Sequence, residues 1–255
     1  MTSQPFTSIA IAGAWGYIGL HFLRAARTLG LRTTVFDPGP PPPELDLSDV
    51  ELASDEAAFY SRQADLFHLA LHPEHRDRGL STLLARSHRE PISVLCEKPM
   101  AEPDRPERCD EIIEAVDRSR AVVLYDFPEL FDPITWRILD VLRSHRDVFI
   151  RSIYVQRSKD REDPANPRNR KRMVTIQYQE SVHCLAFAIY LLGAIQPMEE
   201  ALGRGMIVEA KAVGYTPPNP EDYPHSVDGR CDFHIQLSSS RGAGGAGGTV
   251  IEGRT

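Results

Sequence analysis

Glu97, Lys98 and Pro99 close the stretch SVLCEKP, an apolar run of β-formers that ends in a carboxylate, an ammonium and a proline. Proline removes a backbone donor and stops a strand, so it fixes the direction in which Lys98 leaves. A lysine at such a strand end can hold a substrate hydroxyl and, once desolvated, take part in proton transfer. Spacing alone is equally consistent with an ordinary Glu–Lys pair on the surface.

A second candidate is the run Gly13-Ala14-Trp15-Gly16-Tyr17-Ile18-Gly19, placed where a first apolar strand pattern (8–13) meets a first helical pattern (17–30). A sharp turn and the approach of a pyrophosphate to bare backbone both require glycine, and the helix N terminus adds N–H groups and positive dipole. The spacing is Gly-x-x-Gly-x-x-Gly, with Trp15 where Gly-x-Gly-x-x-Gly has its second glycine. Asp37 ends the next strand pattern, roughly 20 residues on, as a ribose-binding carboxylate would. A carboxylate there accepts from the 2′-hydroxyl and repels a 2′-phosphate, and Pro38-Gly39-Pro40 follow it without a cation. The expected cofactor is NAD rather than NADP; Arg32 on the same strand, or a residue of a distant loop, could reverse this. The same glycine spacing occurs in extended short-chain dehydrogenases, but no tyrosine here has a lysine four residues later, and that chemistry needs the pair.

Strand patterns at 8–13, 32–37, 65–71, 92–97 and 121–125 alternate with helix patterns at 17–30, 76–88 and 105–119. Continuous apolar strands in this rhythm imply a parallel sheet covered on both faces. The proline-rich segment 38–47 must be loop. Beyond about residue 125 the rhythm changes: helix patterns at 134–145 and 179–193, then strand patterns at 148–158, 206–215, 229–240 and 248–253. Strands without helices between them imply a mainly antiparallel sheet. The expected fold is α/β, with a doubly wound dinucleotide-binding domain over 1–125 and an α+β domain with an open, mainly antiparallel sheet over 126–255. RGAGGAGG (241–248) reads as a hairpin loop, because no helix follows it.

The glycine turn, ALHPEHRD after the third strand pattern, VLCEKPMAEP after the fourth and LYDFPELFDP after the fifth occur in that order. This set resembles the glucose-fructose oxidoreductase / inositol dehydrogenase family (Gfo/Idh/MocA), convincingly over about residues 7–200 and in outline beyond. The resemblance implies a Rossmann domain followed by an α+β domain whose open sheet serves homo-oligomerisation. It implies an enzyme that passes hydride between nicotinamide and a carbinol or keto carbon of a sugar, cyclitol or related small molecule. It assigns Glu97 and Lys98 to cofactor and substrate, and places His72, Pro73 and His75 in a turn bordering the cofactor. The His-x-x-His spacing of His72 and His75 also permits a metal, but no third ligand is apparent and none is expected.

Members of that family present Asp-x-x-x-His on the first helix of the second domain, and residues four apart share a helix face. Here His183 stands at the histidine position and Gln179 at the aspartate position, with Glu180 beside it. Histidine can take a hydroxyl proton as hydride leaves; without the resemblance His183 reads as a packed helix residue. The resemblance implies that Lys98 and His183 act over one nicotinamide, with Gln179 or Glu180 on the substrate. Arg168, Arg170, Lys171 and Arg172, near Tyr178, are a solvated loop or an anion-holding one. The glutamine in place of an acid and the short second domain leave a second reading, a dinucleotide- or metabolite-binding sensor or scaffold without turnover.

A net charge of −7 argues against a general nucleic-acid or membrane-surface binder. The four cysteines have no Cys-x-x-Cys spacing, and reduced buried thiols are expected. The N terminus has no basic, apolar leader pattern and no stretch approaches the roughly 18 apolar residues that span a bilayer. The expectation is a cytoplasmic protein with a small-molecule substrate.

Overall fold

Ile9 and Ile11 of the first strand face one side of a sheet, and Ala10 and Ala12 face the other; all four are buried. That double burial explains an apolar run without alternation. The structure is a computed structural model that describes residues 6–102, 105–145, 150–158, 176–195, 206–215, 227–237 and 249–254. The chain divides into two compact units, Met1–Asp126 and Phe127–Thr255.

In the first unit the elements are β1 (Ser8–Ala12), α1 (Tyr17–Thr28), β2 (Arg32–Phe36), β3 (Val50–Leu52), α2 (Glu56–Ser61), β4 (Leu66–Leu69), α3 (Pro73–Ser87), β5 (Ile92–Glu97), α4 (Glu107–Asp117) and β6 (Ala121–Asp126). They form a six-stranded sheet in the order β3-β2-β1-β4-β5-β6, parallel throughout. The order reverses between β1 and β4, which opens a crevice at the carboxyl ends of those strands. Leu23 and Ala26 of α1 pack with Ile9, Ile11 and Val35 on one face. Phe59 of α2, Leu80 and Leu83 of α3 and Ile112 of α4 pack with Phe67, Leu69 and Val94 on the other. Each such buried side chain contributes about 1.5–3 kcal/mol.

Three features depart from the sequence expectation. β3 is a sixth strand, with only three residues (VEL), too few to show a period. α2 has six residues, and its N-terminal Asp55 accepts from the Ala58 N–H at 2.7 Å. Cover on both faces fails at the sheet edge, where Val122 and Leu124 of β6 are exposed.

The second unit holds a 3-10 turn (Pro128–Phe131), α5 (Pro133–Ser144), β7 (Ser152–Gln156), α6 (Ile176–Gly193), β8 (Met206–Tyr215), β9 (Val227–Leu237) and β10 (Thr249–Arg254). Its sheet runs β7-β10-β9-β8. The β8–β9 and β9–β10 pairs are antiparallel, and β7–β10 is parallel. Ile153, Val155, Phe233, Ile235 and Ile251 cluster with Cys184, Ala188 and Leu192 of α6. The alternate residues carry charge: Arg254 pairs with Asp232 at 2.8 Å and His234 with Glu252 at 3.2 Å across neighbouring strands. Cys96, Cys109 and Cys184 form no disulfides. Among the described residues no helix is long and apolar enough to cross a membrane, and no group of three or more His, Cys, Asp or Glu side chains could hold a metal ion. The basic loop at 168–172 and the glycine-rich run at 241–248 lie outside the described residues.

Candidate functional site

The turn after β1 is fixed by its glycines. Gly13 has φ +75°, and a Cβ there would meet the Ala70 carbonyl oxygen at 2.5 Å, so the turn can pass beneath the end of β4 only without a side chain. At Gly19 a Cβ would strike the Gly13 carbonyl and Ala14, so this glycine lets α1 sit against the turn. Gly16 is different. Its Cβ would meet only the Gly13 oxygen, at 3.3 Å, a tighter fit than usual but far less severe than at Gly13 or Gly19.

Asp37 closes the turn from the end of β2. Its Oδ2 accepts from the Trp15 N–H at 3.0 Å and its Oδ1 from the Gly39 N–H at 2.9 Å. The Trp15 indole N–H donates back to the Gly39 carbonyl at 3.1 Å. Trp15, at the position of a second glycine, thus ties the turn to the loop that follows Asp37. Gly16 caps α1 without a side-chain hydrogen bond, and no acidic residue lies in the first helical turn; Tyr17 is exposed and Ile18 half-buried. A free-standing helix N terminus, a glycine open on one side and an oriented carboxylate fit the pyrophosphate and ribose of a dinucleotide.

β5 delivers Glu97 and Lys98 to the same end of the sheet, and the Lys98–Pro99 bond is cis. The backbone there is held by Arg76 of α3, whose side chain the sequence had not singled out. Arg76 is 3% exposed. Its guanidinium donates to the Leu71 carbonyl at 3.2 Å, to the Lys98 carbonyl at 3.5 Å and to the Pro99 carbonyl. It therefore joins the turns that end β4 and β5. Buried charge needs such partners. His68 of β4 is fully buried, and its Nε2 lies 3.4 Å from Glu97 Oε1. Burial pushes the neighbouring Cys96 thiol up to about 12, which leaves it unreactive. His72 caps α3, Pro73 begins it and His75 lies in its first turn, so His75 belongs to a helix rather than a loop. His72 and His75 are exposed and Lys98 is half-buried.

The second unit brings His183 to a carboxylate, but not to one on its own helix. His183 Nδ1 lies 2.8 Å from Glu129 Oε2, and Glu129 comes from the 3-10 turn after β6. Arg157, just beyond β7, contacts Glu129 Oε1 and donates to Glu180 Oε2 at 2.7 Å. Glu180 is 3% exposed and His183 5%. Glu180 is therefore an ion-pair partner of Arg157 inside the unit. The side chains of Tyr178 and Gln179 are outside the described ones. Desolvation pushes the Glu129 carboxyl up, but the His183 hydrogen bond and the His183 and Arg157 charges outweigh it and hold the carboxyl down at about 2. A cavity of about 290 Å³ opens on this cluster, walled by Ile134, Ile138, Val155 and Phe187. Glu129 stood within the quoted LYDFPELFDP, and its proximity to a helix beginning near residue 176 has no sequence signal. Arg157 likewise reads as the end of a strand.

No protein-family model matches the sequence, and no curated protein sequence matches it. Solved structures do match. A Sinorhizobium meliloti protein provisionally assigned as a myo-inositol dehydrogenase aligns over 97% of this chain and 68% of its own, with TM-score 0.66 and 16% identity. An NAD-binding oxidoreductase from Klebsiella pneumoniae aligns over 96% and 65%, with TM-score 0.64 and 16% identity. The WlbA dehydrogenase of Thermus thermophilus, crystallised with NAD and α-ketoglutarate, aligns over 97% and 72%, with TM-score 0.57 and 15% identity. At these identities the likeness is one of fold: a Rossmann-type sheet followed by a second, mixed sheet, the architecture of Gfo/Idh/MocA structures. The chain spans about two thirds of the length of the structures it matches, 68% for the S. meliloti protein and 61% for another Klebsiella pneumoniae oxidoreductase.

Proposed function

We propose that the chain is an NAD-dependent oxidoreductase acting on a carbinol or keto carbon of a sugar, cyclitol or related small metabolite. The observation that carries this is the glycine turn clasped to Asp37 at the strand-order reversal of the first sheet. The matched oxidoreductases and the sequence resemblance support it. Asp37 is oriented by two backbone N–H groups and receives the ribose hydroxyls; its charge disfavours a 2′-phosphate. NAD, when bound, supplies the acceptor for the two electrons of the carbinol C–H bond. Lys98 holds the carbinol oxygen. His183 takes the hydroxyl proton as the carbonyl forms, and returns it in the reverse direction. Gln179 is assigned to a substrate hydroxyl through its amide. Arg76 and His68 act through Lys98 and Glu97, and are positioning residues.

Lys98→Met tests the assignment. Turnover of the best polyol or keto-sugar in a panel, followed at the reduced-nicotinamide absorbance, should fall about 10²-fold or more, with NAD affinity within about threefold of wild type. Unchanged turnover would remove Lys98 from the mechanism. NAD binding without reduction by any member of the panel would favour the sensor reading.

A further inference from the structure

We infer that Glu129 is the residue that orients His183, supplying from the 3-10 turn the carboxylate that α6 lacks at position 179, with Arg157 and Glu180 locking the pair. The inference rests on the proposed role of His183, but its geometry stands apart from it. Both oxygens of Glu129 are engaged, Oε2 by His183 Nδ1 at 2.8 Å and Oε1 by Arg157. The Arg157 Nε continues to Glu180 at 2.7 Å. The Phe127 ring stands edge-on to the imidazole at 5.8 Å between centroids. Four groups from three elements thus fix one ring, and rotation of His183 would leave a half-buried carboxylate short of a donor.

The chemistry follows from the partner. A carboxylate only accepts, so Nδ1 carries the proton and Nε2 is the basic nitrogen of the neutral ring. Two carboxylates face one guanidinium here, so a proton on the imidazole is what neutralises the cluster. Among the described residues, the charged and titratable groups around His183 include Glu129 from the turn, Arg157 after β7, and Glu180 and Cys184 from α6, with Asp132 on the cavity wall. Glu129 acts through His183 and is a positioning residue.

The test is a ¹⁵N-histidine NMR titration of the full chain, with His183→Gln to assign the ring signals among nine histidines. The neutral wild-type ring should be protonated at Nδ1. In Glu129→Gln the titration midpoint should fall by about one pH unit or more. Glu129→Asp should recover part of that shift. Arg157→Gln should move the midpoint the other way, which keeps the inference testable if Glu129→Gln fails to fold. A wild-type ring protonated at Nε2, or midpoints that stay put in the folded variants, would overturn it. In a carbinol-oxidation assay the acidic limb of the pH–rate profile should move with the NMR midpoint. Should the NMR shifts appear while no carbinol is oxidised, the orientation stands and the oxidoreductase reading falls.

Discussion

Asp37 in the first unit and Glu129 in the second are both carboxylates with both oxygens engaged. Asp37 is held by the backbone N–H groups of Trp15 and Gly39. Glu129 is held by the side chains of His183 and Arg157. The first arrangement depends on chain conformation, the second on which side chains three separate elements carry. Backbone-built sites leave a local mark, because glycine must stand wherever φ is positive or another chain passes close. Side-chain-built sites are assembled by the tertiary fold and leave none.

The largest expected effect attacks the backbone-built site. Gly13→Val forces a branched side chain into φ +75° and against Ala70. NAD binding should vanish and the melting temperature should fall, both read by calorimetry. Retention of wild-type affinity would show that the turn does not depend on its conformation.

Next is Arg76, where one side chain holds backbone at two turns. Arg76→Met leaves the carbonyls of Leu71, Lys98 and Pro99 short of a donor and should cost about 2–4 kcal/mol in urea unfolding. A loss below about 0.5 kcal/mol would mean that those carbonyls are satisfied without it.

The smallest effect is the acid response of the second unit. The Glu129 carboxyl is depressed in the folded state, to about 2, from the ordinary carboxylate value of about 4.3. Its contribution is therefore present above the unfolded value and is lost as pH falls through about 2. Thermal melts of wild type and Glu129→Gln should differ at pH 6, draw together below about pH 4 and meet near pH 2. Curves that stay parallel down to pH 2 would contradict the depressed value.

What the sequence made legible follows the same division. The principal strands and helices of the first unit were readable because β1, β2, β4 and β5 are buried and the helices carry periodic apolar faces. β3 and α2 were not, because elements of three and six residues are shorter than the period that would reveal them. The turn and Asp37 could be singled out from types and spacing, and Lys98 and His183 only with the family resemblance. Arg76 could not, since in PEHRDRGL it is one charge among several and only packing shows which is buried. Nor could the pairing of Glu180 with Arg157 be read, since the two lie on separate elements and only the fold brings them together.

The central claim is that the turn and Asp37 bind a dinucleotide with an unmodified ribose. Isothermal titration of the full chain with NAD and NADP, on wild type and Asp37→Ser, tests it directly. Wild type should bind NAD at least about tenfold more tightly than NADP, a difference of about 1.4 kcal/mol, and Asp37→Ser should abolish that preference. No NAD binding by the wild-type protein, or equal affinity for the two, would contradict the account.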